Sequence, residues 1–324
     1  MDIAKRFDVA VVGLSCVDCV ARTDTLQLHV MNLLSDLSMS GGGLSNALTA
    51  ISGLGLRLGM ATRIGNDLYG DYLLRQWERM GVDTGGVRRD PERQTGFSFI
   101  LNHGEERTPL FSRGANTAFC LEDIPTEVIE SSRCLLVFFA GILPALDGAP
   151  LLELAQRCKA ANTAIIVDVS DAIQADYTGI EHYMPIVNLV VNEEEGFRLT
   201  GVKQPEAILR SLDNKVDAGT MFRGVTRKDG VTFSLPNGMG REYLDVPSPF
   251  YGRPVHNVIG AGDAFRAGLA AYLSVHFTEY SSGTLDYRAA GRFASGVAYS
   301  HLSRMNDICP FAWNEVEALL AAAQ

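Results

Sequence analysis

The run Asn257-Val258-Ile259-Gly260-Ala261-Gly262-Asp263-Ala264-Phe265 holds the residue types that phosphate chemistry needs. Small residues come first, then a carboxylate, then the amphipathic stretch Arg266-Ala267-Gly268-Leu269-Ala270. That order predicts a loop entering a helix. Backbone N–H groups at a helix N-terminus lack intrahelical partners, and the helix dipole favours an anion there. Gly260, Ala261 and Gly262 therefore form a candidate anion hole, with no bulky side chain to keep a phosphate away. Asp263 stands at its mouth, where a carboxylate holds a phosphate poorly but can take a proton from an attacking hydroxyl. Phosphoryl transfer needs little beyond a positioned nucleophile, a base and electrostatic stabilisation. Asp263 also reads as the N-cap of a glycine-rich turn, and the motif alone leaves the two readings level.

Rival chemistries fit less well. A dinucleotide site would place G-x-G-x-x-G after the first strand, but Val12 is followed by Gly13-Leu14-Ser15-Cys16-Val17-Asp18, and Gly53-Leu54-Gly55 has the wrong spacing. The sequence has no G-x-x-x-x-G-K-[ST]. Cys16 and Cys19 form a C-x-x-C, yet no second pair completes a tetrahedral metal site, so buried reduced thiols are the simpler expectation. His103 and His301 lack metal-spaced partners and read as turn and helix residues.

These residues must be positioned by alternating elements. Short apolar runs at Val9–Val12, Leu135–Phe139, Ala164–Val167, Leu189–Val191 and, most weakly, Gly219–Val225 predict strands. Helical spacing covers Ala149–Ala161, Gln204–Leu212, Ala264–Val275, Tyr287–Leu302 and Trp313–Ala323. Such alternation implies an α/β fold with a mainly parallel sheet covered by helices on both faces. Roughly 14–40 and 95–112 have another texture. Thr95–Leu101 alternates in places, Asn102-His103-Gly104-Glu105 supplies a turn, and Arg107–Phe111 follows, predicting a hairpin. With the earlier segment it is expected to form a small β lid, the plainer alternative being a surface hairpin.

All 324 residues are expected to form one domain, since no long linker interrupts them. A net charge of −10, with 28 Lys+Arg against 38 Asp+Glu, argues against a nucleic-acid partner. Apolar residues at 47% suffice for a large core, and no stretch reaches transmembrane length. Lys5 and Arg6 precede an apolar run, but Asp8 breaks it, so a first strand is expected there instead of a signal peptide, in a cytoplasmic protein.

Gly260–Gly268 resembles the C-terminal signature of the PfkB/ribokinase family of carbohydrate and nucleoside kinases. Its N-terminal signature resembles Gly41-Gly42-Gly43-Leu44-Ser45-Asn46-Ala47, then Leu54-Gly55, then Arg63-Ile64-Gly65-Asn66-Asp67-Leu68-Tyr69-Gly70. Asp18, Asn192-Glu193-Glu194-Glu195 and Thr226–Gly230 match further positions, in the family's order and over nearly the whole chain. The resemblance implies a ribokinase-like three-layer α/β/α fold with a lid. It implies ATP-dependent phosphorylation of a sugar or sugar-derived hydroxyl, with Asp263 as base and Gly260–Gly262 as anion hole. Asp18, Gly42, Gly43 and Asn46 then match sugar-binding positions, for which a carboxylate and an amide are suited. Taken singly, Asp18 reads as a strand-end cap and Asn46 as a helix N-terminus. Asn192, Thr226, Lys228 and Gly230 match the nucleotide side, and Glu195 a Mg²⁺ site reached through water, for which a sparse donor set is enough. Glu193 and Glu194 read as surface charges.

Two departures matter. Lys228 stands where the family has glycine and either adds a phosphate contact or fills the loop. Asn257 stands where it commonly has Asp, followed by Val258 and Ile259, which makes activation by a monovalent cation such as K⁺ doubtful. Arg113 reads as a surface arginine or as a partner for an acidic or phosphorylated sugar. A nucleoside kinase, which Phe97, Phe99 and Phe111 would permit, is an alternative, as is a catalytically weak sugar- or nucleotide-binding relative. Exposed lid strands suggest a homodimer.

Overall fold

Val9 and Val11 of the first strand face one hydrophobic core, while Ala10 and Val12 face another. Neighbouring strands divide the same way: Leu136 and Phe138 join the first core, Leu135 and Val137 the second. A strand with both faces covered favours apolar residues at nearly every position, which is why these runs are continuous instead of alternating. The computed structural model describes residues 5–103, 106–170, 172, 174–215, 219, 221–238, 240–256, 260–303 and 311–323.

Within those residues the first strands are β1 (Phe7–Gly13), β2 (Ser15–Thr23), β3 (Asp36–Gly43), β4 (Leu58–Gly65), β5 (Asp83–Asp90), β6 (Gly96–His103) and β7 (Glu106–Ser112). Then come β8 (Ser132–Ala140), β9 (Ala164–Val169), β10 (Asn188–Asn192), β11 (Arg223–Arg227), β12 (Gly230–Asn237) and β13 (Gly240–Pro247). The helices begin with α1 (Leu44–Ile51), α2 (Leu68–Arg79), α3 (Thr126–Glu130), α4 (Ala149–Ala160), α5 (Ile180–Tyr183) and α6 (Glu193–Thr200). They end with α7 (Pro205–Lys215), α8 (Ala261–Val275), α9 (Phe277–Ser282), α10 (Tyr287–Ser303) and α11 (Trp313–Ala321).

Nine strands form one sheet in the order β13-β12-β11-β10-β9-β8-β1-β4-β5. It is parallel from β11 to β5, and β12 and β13 add an antiparallel edge. Helices α1, α2, α8 and α10 supply the first core, and α3, α4, α5 and α7 the second, giving three layers. A separate four-stranded sheet, β3-β2-β6-β7, comes from Ser15–Thr23, Asp36–Gly43, Gly96–His103 and Glu106–Ser112. Its β3 and the adjoining chain expose Leu28, Met31, Leu33, Leu37 and Met39.

Two side chains anchor the second sheet. Asp67 caps α2 by accepting from the Gly70 N–H at 2.8 Å, and also accepts from the Thr95 backbone and hydroxyl, both at 2.7 Å. Asn116 takes the Ser15 N–H at 2.9 Å and donates to the Ser15 carbonyl at 2.8 Å, fixing the start of β2. The strand expected over Gly219–Val225 instead begins at Arg223. The Asn188 side chain accepts the Phe222 N–H at 3.1 Å, so that group is taken before the ladder with β10 starts.

Candidate active site

In an open parallel sheet the carboxyl ends of the strands form the natural binding crevice. Asn192 ends β10, Thr226 nears the end of β11, and Asp168 nears the end of β9. Asp263 lies in the first turn of α8, and Asn46 in α1, 217 positions away in sequence. The two meet, with Asn46 Nδ2 donating to Asp263 Oδ2 at 3.0 Å. Gly260 makes that approach possible: it is left-handed, with φ 77°, and a Cβ on it would lie 3.0 Å from both Asn46 Cγ and His301 Nε2.

Asp18 is buried on β2, and the Cys16 thiol donates to its Oδ1 at 3.4 Å. Across the β2–β3 pair its carboxylate lies over Gly42, where a Cβ would stand 2.3 Å from Oδ1. Gly43 follows as the N-cap of α1. Burial pushes the Cys16 thiol well up, and the charges of Asp18 and Asp263 add to that, so all three share one electrostatic neighbourhood. Cys16 and Cys19 are both buried free thiols, and three positions apart on a strand they face opposite sides.

Ala261 and Gly262 of the Gly260–Asp263 turn border a cleft of about 940 Å³. Asn192, Thr226, Lys228 and Gly230 line it together with Ala261 and Gly262, so the expected nucleotide residues meet the expected anion hole there. Asn192 and Thr226 are register partners on adjacent strands. Phe250 and Tyr299, stacked at 4.6 Å, add an aromatic wall. A second cleft of about 640 Å³ lies at the start of β9, around Thr163 and Ala164, and contains none of the expected site residues.

The N-x-x-E segment has a local structural use. Asn192 Oδ1 accepts the Glu195 N–H at 2.8 Å while Glu195 Oε2 accepts the Asn192 N–H at 2.7 Å, a capping box for α6. Glu195 Oε1 accepts from Asn192 Nδ2 at 2.7 Å, and Oε2 pairs with Arg266 at 2.6 Å. Arg266 also pairs with Asp168 Oδ1 at 2.8 Å and donates through Nε to the Val190 carbonyl at 3.0 Å. Burial pushes the Asp168 carboxyl well up; Arg266 pulls it back, while Glu195 and Asp263 push it further. Sequence reasoning passed over Arg266 and Asp168, and read His301 only as a helix residue. An arginine one turn past Asp263, in a helix otherwise rich in small residues, was the available signal.

Arg113 is half-buried before the short turn Gly114–Ala118 and accepts from Asn116 Nδ2 at 2.7 Å through its carbonyl. Its charge is felt by Asp147, whose carboxyl is pushed up to about 6. Burial is the main cause; the N–H groups of Gly141 and Leu143 and the Arg113 charge oppose it, and Asp176 adds to it. Glu193 and Glu194 are exposed at the edge of the large cleft. His103 ends β6 and pairs with Thr23. Asn257, Val258 and Ile259 lie outside the described residues.

The pfkB family carbohydrate kinase model matches residues 6–311. The chain belongs to the pfkB family of carbohydrate kinases. As a member of that family it is an ATP-dependent carbohydrate kinase. It is 26% identical to a 5-dehydro-2-deoxygluconokinase of Listeria monocytogenes, over 99% of this chain and 98% of that one. Its fold is similar to a ribokinase of Thermotoga maritima, with a TM-score of 0.78 at 24% identity over 97% and 99% of the two chains. It is also similar to a fructokinase with bound ATP from Xylella fastidiosa, TM-score 0.78 at 18% identity over 97% and 98%. No helix among the described residues is long and apolar enough to cross a membrane.

Proposed function

We propose that this pfkB kinase transfers the γ-phosphoryl group of ATP to a hydroxyl of a sugar acid, with Asp263 as the general base. The observation that carries this reading is the placement of Asp263. It is held at 3.0 Å by Asn46 and shares the electrostatic neighbourhood of Cys16 with Asp18, while Ala261 and Gly262 of the same turn line the cleft of Asn192, Thr226, Lys228 and Gly230. A hydroxyl bonded to Asp18 and Asn46 would face Asp263 on one side and the γ-phosphate on the other. Its proton passes to Asp263 as its oxygen bonds to phosphorus, and the bond to the bridging oxygen breaks to release ADP. N–H groups of Gly260–Gly262 stabilise the charge on the transferring group. Closure of the β3-β2-β6-β7 sheet over the sugar would exclude water, which would otherwise take the phosphoryl group.

The donors at the phosphate end are hard oxygens, which suits Mg²⁺. Both Glu195 oxygens are already engaged, so Asn192 and Glu195 would hold the ion through water, and its charge would offset that of the phosphates. Arg113, half-buried beside Asn116, which holds the start of β2, would pair its guanidinium with the carboxylate of an acid substrate. The full-length relative that bears the name 5-dehydro-2-deoxygluconokinase points the same way. The exposed Leu28, Met31, Leu33, Leu37 and Met39 would be covered by the second sheet of another copy, giving a homodimer.

The test is ATP consumption across sugars, sugar acids and nucleosides, with Asp263→Asn as control. Acid substrates should be preferred, and Asp263→Asn should lose about 10²- to 10⁴-fold in kcat. Turnover that survives the substitution would sink the base assignment, and a preference for nucleosides would replace the substrate class.

A further inference from the structure

We propose that Arg266 is a positioning residue for phosphoryl transfer, its guanidinium serving as the charged floor that ties the anion-hole turn to the nucleotide side of the site. The inference rests on the function proposed above. Arg266 is itself buried, with 2% of its surface exposed, so its charge is not spent on water. Its partners come from three separate elements: Val190 on β10, Glu195 on α6 and Asp168 on β9. Arg266 belongs to α8, one turn beyond Asp263. Gly262 lies directly against it, since a Cβ there would stand 2.7 Å from Nη1. The guanidinium therefore backs the N–H groups that face the phosphate.

Two consequences follow from this geometry. One is mechanical: the fork fixes the distance between the Gly260–Asp263 turn and the Asn192–Glu195 cap, the two edges between which the nucleotide phosphates must fit. The other is electrostatic: without the cation, Glu195 would lose its charged partner beneath a site built to receive a polyanion. Lysine would restore the charge but not the fork, because a single ammonium cannot reproduce the planar arrangement of Nε and Nη2.

The experiment compares wild type, Arg266→Met and Arg266→Lys. Calorimetry measures ADP binding with and without Mg²⁺, and kinetics separate KM for ATP, KM for the sugar and kcat. Arg266→Met should weaken ADP binding and lower kcat by about 10- to 100-fold, as loss of outer supporting groups does, with the sugar KM little changed. Arg266→Lys should recover much of the binding but less of kcat. Unchanged ADP affinity and kcat in a folded Arg266→Met protein would overturn the proposal. So would parallel losses in sugar KM, ATP KM and stability, the mark of a general structural role. If Arg266→Met fails to fold, Arg266→Met/Asp168→Asn removes one buried carboxylate together with the cation, and the same comparison with Arg266→Lys decides. Should wild type bind ADP yet phosphorylate no sugar, the proposed function fails, while calorimetry still judges Arg266.

Discussion

Gly42→Ala is the most informative single perturbation, because the geometry fixes both its direction and its size. A Cβ at position 42 would lie 2.3 Å from Asp18 Oδ1, whereas ordinary contact begins at 3.4 Å. Something must therefore move by about 1 Å. The β3 backbone is paired with β2 along its length, from Asp36 to Gly43, so the carboxylate is the softer partner. Asp18 swings away from the place where a sugar hydroxyl would meet it. A misplacement of about 1 Å costs roughly 10²-fold in rate, or about 2.7 kcal/mol of transition-state stabilisation. The loss should appear in kcat/KM for the sugar. KM for ATP should stay near its wild-type value, since the nucleotide cleft is lined by other elements. Overpacking itself costs about 1–3 kcal/mol of stability, which a melting curve reads separately. Steady-state kinetics with both substrates, beside thermal melts, make the assay. A folded Gly42→Ala enzyme with wild-type sugar kinetics would refute the placement of Asp18 in the sugar site.

Two further predictions rest on other parts of the molecule. Asp147 has its folded-state carboxyl raised to about 6, so its contribution to stability is fully present below the unfolded value near 4 and is lost as pH rises through 6. On lowering pH from 7.5 to 5, wild type should therefore gain stability relative to Asp147→Asn; melts at both values measure this, and an unchanged difference would contradict the raised carboxyl. Leu37→Glu with Met39→Glu should shift the protein from dimer to monomer in sedimentation velocity, and a monomeric wild type at micromolar concentration would remove the homodimer.

Much of the architecture was legible in advance because its physics is local. The apolar runs that became β1, β8, β9 and β10 have no polar residue to spare, as strands buried on both faces require. Arg63 and Thr62 interrupt the run of β4, and β13 is an edge strand with an exposed face, so neither carries a comparable signal. The beginning of β11 was hidden for another reason: the Asn188 side chain, not the strand's own pattern, occupies the Phe222 N–H. At the site the resemblance supplied Asp18, Asn46, Asn192 and Asp263 singly, but the residues between them are too many for spacing to relate them.

By itself, the sequence determined the α/β alternation, the two-textured chain and the loop-to-helix turn at Gly260–Asp263. Each depends on neighbours a few positions apart, where periodicity and backbone chemistry act directly. Tertiary structure alone decided that Asn46 grips Asp263, that Gly42 yields its space to Asp18, and that Arg266 gathers Asp168, Glu195 and Val190. Those contacts join elements distant along the chain, and burial makes them matter. A carboxylate or guanidinium removed from water must find its partner wherever the fold brings one.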